Sequence, residues 1–153
     1  MHALSLPADM GFVDVGSGKG KVLLMAMEYG FKRIVGVEFS HELCEIARRN
    51  IDIYRRKARS VSDVAIVECD AVEYEVKPGD CIFYLFNPFD DHVLALVVDR
   101  IAHSLIVVPR KVWVIYCHPT WSGVLQSHPT FFQAAVYTIR ANTFLVYTNI
   151  VPS

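Results

Sequence analysis

Asp14-Val15-Gly16-Ser17-Gly18-Lys19-Gly20 follows the apolar run Phe12–Val15 and leads into Lys19–Tyr29, whose apolar spacing is helical. A glycine loop between a first strand and a first helix lets the backbone approach a ligand closely. Amides at the helix start then attract an anionic group. Glycines also serve ordinary tight turns, so the loop by itself decides little. Its spacing says more. A dinucleotide fingerprint is GxGxxG; here the pattern is GxGxG and Lys21 stands where the last glycine of the fingerprint belongs. That disfavours tight pyrophosphate binding. An acid, Asp14, stands two residues before Gly16.

Working outward, Arg33–Glu38 is a β-branched run ending in a carboxylate about 20 residues past the loop, the separation a ribose-binding acid requires. Glu38 can accept hydrogen bonds from two ribose hydroxyls, or simply help start the next helix. The loop and the acid together favour the ligand reading. Ser40–Lys57 reads as a helix, with Leu43, Ile46, Ala47, Ile51 and Tyr54 on one stripe. Val64–Cys69, Cys81–Phe86 and Lys111–Cys117 read as strands, and Asp91–Ser104 as a helix capped by Asp90. This alternation argues for a parallel sheet with helices on both faces. The rhythm then changes. Phe131–Ile139 and Thr143–Ile150 are strands joined by Arg140-Ala141-Asn142, a link short enough only for an antiparallel hairpin. Thr120–Pro129 reads as a loop or at most a short helix.

Composition narrows the class. The 153 residues are 53% hydrophobic and carry a formal net charge of −1, which fits one domain with a real core and gives no global attraction to nucleic acid or an anionic membrane. No apolar run reaches the ~18 residues of a membrane span, and Met1–Asp9 does not read as a signal peptide. Cys44, Cys69, Cys81 and Cys117 form no CxxC pair; they read as small buried hydrophobes in a reducing cytoplasm, with no metal site expected. Arg48, Arg49, Arg55, Arg56, Lys57 and Arg59 cluster toward the end of the second helix. A crossover helix ends at the sheet edge away from the glycine loop, and cations there compensate the helix dipole, so the run reads as a solvated face.

The chain resembles the class I S-adenosylmethionine-dependent methyltransferases. The likeness rests on the glycine loop, on Gly36-Val37-Glu38, on Glu68-Cys69-Asp70-Ala71 and on Leu85-Phe86-Asn87-Pro88-Phe89. It implies a three-layer Rossmann-like α/β fold, with a mostly parallel seven-stranded sheet and an antiparallel hairpin at its end, over one domain, residues 1–153. It implies S-adenosylmethionine as cofactor. Asp14, Gly16, Ser17, Gly18 and Gly20 would hold its methionine end, Glu38 its ribose, and Asp70 and Ala71 its adenine. Asp70 read alone is equally the start of a turn.

Enzymes of this kind that modify amino or amide nitrogens carry an Asn/Asp-Pro-Pro-Tyr/Phe motif, with the Asn and a backbone carbonyl accepting from the target nitrogen and the ring stacking on the substrate. Asn87, Pro88 and Phe89 match it with one proline missing, so the resemblance implies methyl transfer leaning to a nitrogen nucleophile. A proline turn with an aromatic anchor fits these residues equally. His118 on the same rim is a candidate base, though a histidine before proline is more often structural, and His92 ranks below it. Tyr116 and Trp121 line either a pocket or the core. The acceptor is unidentified, a small molecule or protein being favoured over nucleic acid. Enzymes that methylate protein lysine share a similar Asp-x-Gly-Ser-Gly loop and Gly-Val-Glu strand.

Two other classes stay open. One is a catalytically silent methyltransferase-like binding module, because Met1–Met10 is too short for the helices that usually select the substrate. The other is a nicotinamide-dependent oxidoreductase, which the GxGxG spacing disfavours.

Overall fold

Each of the first three strands is a short apolar segment followed by a turn that glycine, serine or aspartate begins. In a computed structural model that describes residues 5–87 and 89–151, these are β1 (Gly11–Val15), β2 (Arg33–Glu38) and β3 (Asp63–Glu68). Two helices connect them, α1 (Lys21–Tyr29) and α2 (His41–Ala58). The later elements are β4 (Asp80–Phe86), α3 (Asp91–Val107), β5 (Trp113–Cys117), α4 (Ser122–Gln126), β6 (Phe132–Ile139) and β7 (Asn142–Thr148). The seven strands run in the order β3-β2-β1-β4-β5-β7-β6, the doubly wound arrangement with a terminal antiparallel hairpin that the sequence predicts, β7 running against both β5 and β6. No helix among the described residues is long and apolar enough to cross a membrane.

The chain forms two compact units, residues 1–74 and 75–153. In the first, β1 is buried along its whole length and pairs in parallel with β2, placing Asp14 beside Gly36. The apolar stripe of α2 buries Cys44, Ala47 and Ile51, at the i, i+3, i+7 spacing of one helix face. Ser40 caps the helix, its Oγ accepting from the Leu43 amide at 3.4 Å, and Glu42 lies in the first turn. In the second unit, β4 and β5 pair in parallel and β5 pairs antiparallel with β7. Leu94, Val97, Val98 and Ile101 of α3 are buried, as are Ile82, Phe83 and Leu85 of β4.

One local feature departs from the expectations, and two fall within them. The hairpin turn is the two residues Arg140 and Ala141, with φ of 48° and 66°, and Asn142 already belongs to β7. Right-handed strand twist favours such a turn with both central residues left-handed, a conformation that Asn-Gly usually supplies. Residues 120–129 contain a five-residue helix, α4. A 3₁₀ turn at Ala71–Glu73 follows β3, capped by Asp70.

Candidate functional site

At the end of β1 the chain must reverse without burying unpaired amides. Gly16 and Ser17 both donate to the Val37 carbonyl, at 2.8 and 3.0 Å, which ties the loop to β2. Gly18 donates to Glu38 Oε2 at 2.9 Å, and Gly20 donates to the Ser17 carbonyl at 2.9 Å. These four loop amides are therefore satisfied inside the protein. These bonds concern the loop and leave the expectation about the amides at the start of α1 as it stood; the dinucleotide reading, disfavoured by the GxGxG spacing, gains no support from them.

Glu38 is buried, and each of its oxygens accepts one backbone hydrogen bond: Oε2 from Gly18, Oε1 from Ser40 at 2.9 Å. Both bonds are charge-assisted, and they lock the carboxylate between the glycine loop and the start of α2. Each oxygen retains acceptor capacity for ligand hydroxyls. Glu38 thus starts the next helix and closes the loop at once, so the two sequence readings are compatible. Asp14 is almost fully buried on the neighbouring strand. Burial first, and the nearby Glu38 charge second, push its carboxyl up to about 7.

Two observations describe what the loop leaves open at Gly18 and unpaired at Ser17. Gly18 has φ +52°, and a Cβ built there would meet no atom within 4 Å. Ser17 Oγ is buried without a hydrogen-bond partner, a cost a protein accepts rarely and chiefly where a ligand or water can complete the bond. Gly36 explains why the serine sits so close. A Cβ at Gly36 would come within 2.7 Å of both Ser17 Oγ and Leu23 Cδ1, so β2 must be bare at that point.

Asp70 is exposed, and its Oδ1 accepts from the Val72 amide at 3.1 Å, capping the 3₁₀ turn that begins with Ala71. The turn-capping reading is therefore realised; one carboxylate oxygen remains for other partners. A residue the sequence did not single out is Phe39. It directly follows Glu38 and is 78% exposed, an unusual exposure for so large an apolar ring. The available signal was its place after the acid that ends β2.

The second set of predicted residues lies in the carboxy-terminal unit. Asn87 is exposed just beyond β4 and left-handed, with φ 40°. Its Oδ1 accepts from the Tyr116 hydroxyl at 3.0 Å, and that hydroxyl accepts from the Trp121 amide at 3.3 Å. Because the hydroxyl has taken the Trp121 proton donor, its own proton is free for Asn87, which fixes the amide orientation. Phe89 is half-buried, and Pro88 lies outside the described residues. His118 is also left-handed, with φ 50°, and its ring packs edge-on against Phe86 at 5.2 Å. Tyr116 is buried and Trp121 is partly exposed, so of these two aromatic residues only Trp121 offers its ring to a pocket. No cluster of metal ligands occurs among the described residues, and all four cysteines are free.

Comparison with known proteins bears on the fold and on the family the chain resembles. Residues 1–65 match the family model described as histone methylation protein DOT1. A ribosomal protein L11 methyltransferase of Pelobacter propionicus is 31% identical over 94 residues, 61% of this chain and 26% of that protein. The chain therefore spans about a quarter of that curated relative. Among solved structures, an RNA methyltransferase from Salinibacter ruber bound to S-adenosyl-L-homocysteine is 18% identical, with a TM-score of 0.66 over 95% of this chain and 86% of that one. The ribosomal protein L11 methylase of Lactobacillus delbrueckii is 16% identical, with a TM-score of 0.67 over 91% and 69%. Magnesium protoporphyrin IX methyltransferase from Synechocystis with bound S-adenosylmethionine is 11% identical, with a TM-score of 0.67 over 92% and 70%. At these identities the structural likenesses speak for the fold.

Proposed function

We infer that this chain, whose fold and glycine loop resemble those of the class I S-adenosylmethionine-dependent methyltransferases, binds S-adenosylmethionine and transfers the methyl group to a nitrogen acceptor. Residues 1–153 act in this reading as one catalytic domain, in a reducing, cytoplasmic setting that suits four free thiols. The observation that carries the reading is the locked Glu38 carboxylate beside the open, left-handed Gly18 and the unpartnered Ser17 Oγ.

Each residue then has a physical task. Glu38 accepts from the ribose hydroxyls with the lone pairs its backbone bonds leave free. Asp14 and Glu38 place negative charge in a low-dielectric wall, which favours a ligand carrying a sulfonium and an ammonium group. Ser17 Oγ gains the partner it lacks. Asp70 and Ala71 face the adenine, and the exposed Phe39 ring covers one face of it. The bound sulfonium supplies an already activated methyl group, so the protein need only align a nucleophile at about 3–3.5 Å and exclude water. Asn87 is the aligning group. Tyr116 holds its amide so that Oδ1 can accept from an acceptor N–H, with Phe89 stacking on the acceptor. The relatives named for ribosomal protein and RNA methylation make a macromolecular acceptor a natural first choice for assay.

Titration calorimetry tests the binding step. The wild-type chain should release or absorb heat with both S-adenosylmethionine and S-adenosylhomocysteine, and the Glu38→Lys variant with neither. A wild-type chain that gives no heat with either compound overturns the reading. Binding without label transfer from tritiated S-adenosylmethionine to any protein or RNA pool would instead identify a silent binding module.

A further inference from the structure

We propose that the end of α2 remote from the glycine loop is a docking site for single-stranded nucleic acid. The inference does not depend on the catalytic reading above. It starts from a cavity of about 330 Å³ within residues 1–74, at the low end of the range for small-ligand sites. Met27 and Phe31 lie behind it, buried in the core, and the half-buried Tyr54 contributes an aromatic wall. Lys32 and Arg59 also line the cavity, against a single acid, Glu28. An apolar slot with an aromatic wall and cations at its mouth suits a base flanked by phosphates.

The charge around it is lopsided. Residues 54–62 hold four cations, Arg55, Arg56, Lys57 and Arg59, and no acid, in a chain whose net charge is −1. Arg55 is engaged with the Ser62 carbonyl at 3.5 Å, whereas Arg56, Lys57 and Arg59 are exposed and enter no ion pair among the described residues. Helix-dipole compensation accounts for Arg55, Arg56 and Lys57, which lie in the last turn. It does not account for Arg59. This residue is the left-handed cap at φ 49°, where glycine is the usual choice, and a side chain there costs about 1 kcal/mol. Arg59 is one of the residues that line the cavity. The following loop is held by hydrogen bonds from Ser60 Oγ to Ser62 Oγ at 3.2 Å and from Ser62 N to Ser60 Oγ at 3.3 Å, so the mouth is preorganised. α2 is 18 residues long, about 27 Å, so a strand seated here is tethered well away from Glu38.

The probe is a fluorescein-labelled 12-nucleotide oligouridylate, read by anisotropy on the whole chain. At 50 mM salt the dissociation constant should be on the order of 10 µM. Its logarithm should change with log salt at a slope of about 3 in magnitude, as four phosphate contacts on a single strand require. The Arg56→Gln/Lys57→Gln/Arg59→Gln variant should bind at least ~10-fold more weakly, with a slope of about 1. Tyr54→Ala should weaken binding roughly 10-fold while leaving the slope unchanged, because stacking releases no counterions. Arg56→Lys/Arg59→Lys should retain binding. Thermal melts by circular dichroism confirm that each variant is folded before its binding is scored. No binding up to 200 µM, or equal binding by the triple glutamine variant, overturns the proposal. A 12-base-pair duplex binding as tightly as the strand also overturns it, since a paired base cannot enter the slot.

Discussion

The two units treat left-handed backbone differently. Among the described residues of the first unit, Gly16, Gly18, Gly20 and Gly30 occupy these positions, and Arg59 is the exception. Among the described residues of the second unit the left-handed ones are Asn87, His118, Arg140 and Ala141, and every one of these carries a side chain. A left-handed non-glycine residue costs roughly 1–2 kcal/mol, less for asparagine. Around the glycine loop the backbone itself makes the contacts; a Cβ at Gly20 would press on Ala47, and one at Gly18 would stand in open space. At Asn87 the side chain is what matters, and the Tyr116 bond holds it in place. Strain that retains a side chain is therefore a pointer to use, whereas glycine points to close approach. Ala141 fits neither case, since its methyl makes no described contact.

Four measurements can break or sharpen this contrast. The largest effect is expected from Glu38→Ala, which removes the carboxylate and leaves the Gly18 and Ser40 amides unpaired. S-adenosylhomocysteine affinity should fall at least ~100-fold, corresponding to two charge-assisted bonds at roughly 1.5–3 kcal/mol each. A loss under tenfold in calorimetry would show the loop to be held by other means. Next is Gly36→Ala. Its methyl group collides with Ser17 and with the buried Leu23, so overpacking should cost about 1–3 kcal/mol and lower Tm by several degrees. An unchanged melt would mean the strand is not tightly packed there.

The third concerns pH. Asp14 is pushed up to about 7 by burial, so between about 4 and 7 the folded chain holds a proton that the unfolded chain has lost. Stability of the ligand-free protein should therefore decline across that window and level off above it. Asp14→Asn should flatten the decline. A cationic ligand favours the ionised form, so S-adenosylmethionine should bind up to about tenfold more tightly at pH 8 than at pH 6. A melt and an affinity that are both independent of pH would remove Asp14 from the account. The smallest effect is Ala141→Gly. Relief of a left-handed alanine should stabilise the chain by about 1 kcal/mol and raise Tm by roughly 2–4 °C, with ligand binding unaltered. Destabilisation instead would show that the methyl group packs.

Much of this molecule was legible before folding. Strand and helix order follows from apolar periodicity, and the hairpin follows from the shortness of its link. The pairing of Glu38 with the glycine loop follows from spacing along a strand-loop-helix unit. All of these depend on residues near one another in the chain, where local geometry limits the options. The direction of the loop amides was not legible, since whether an N–H faces a ligand or the Val37 carbonyl depends on how β1 and β2 are aligned. Nor was the Tyr116–Asn87 bond, which joins residues 29 positions apart. The elevated Asp14 carboxyl, the exposure of Phe39 and the cavity beside Arg59 belong to the same group. Burial, charge proximity and empty space are properties of the assembled surfaces. The sequence by itself determined the fold class and the candidate donor-binding residues; only tertiary structure decided which of their atoms are already spoken for.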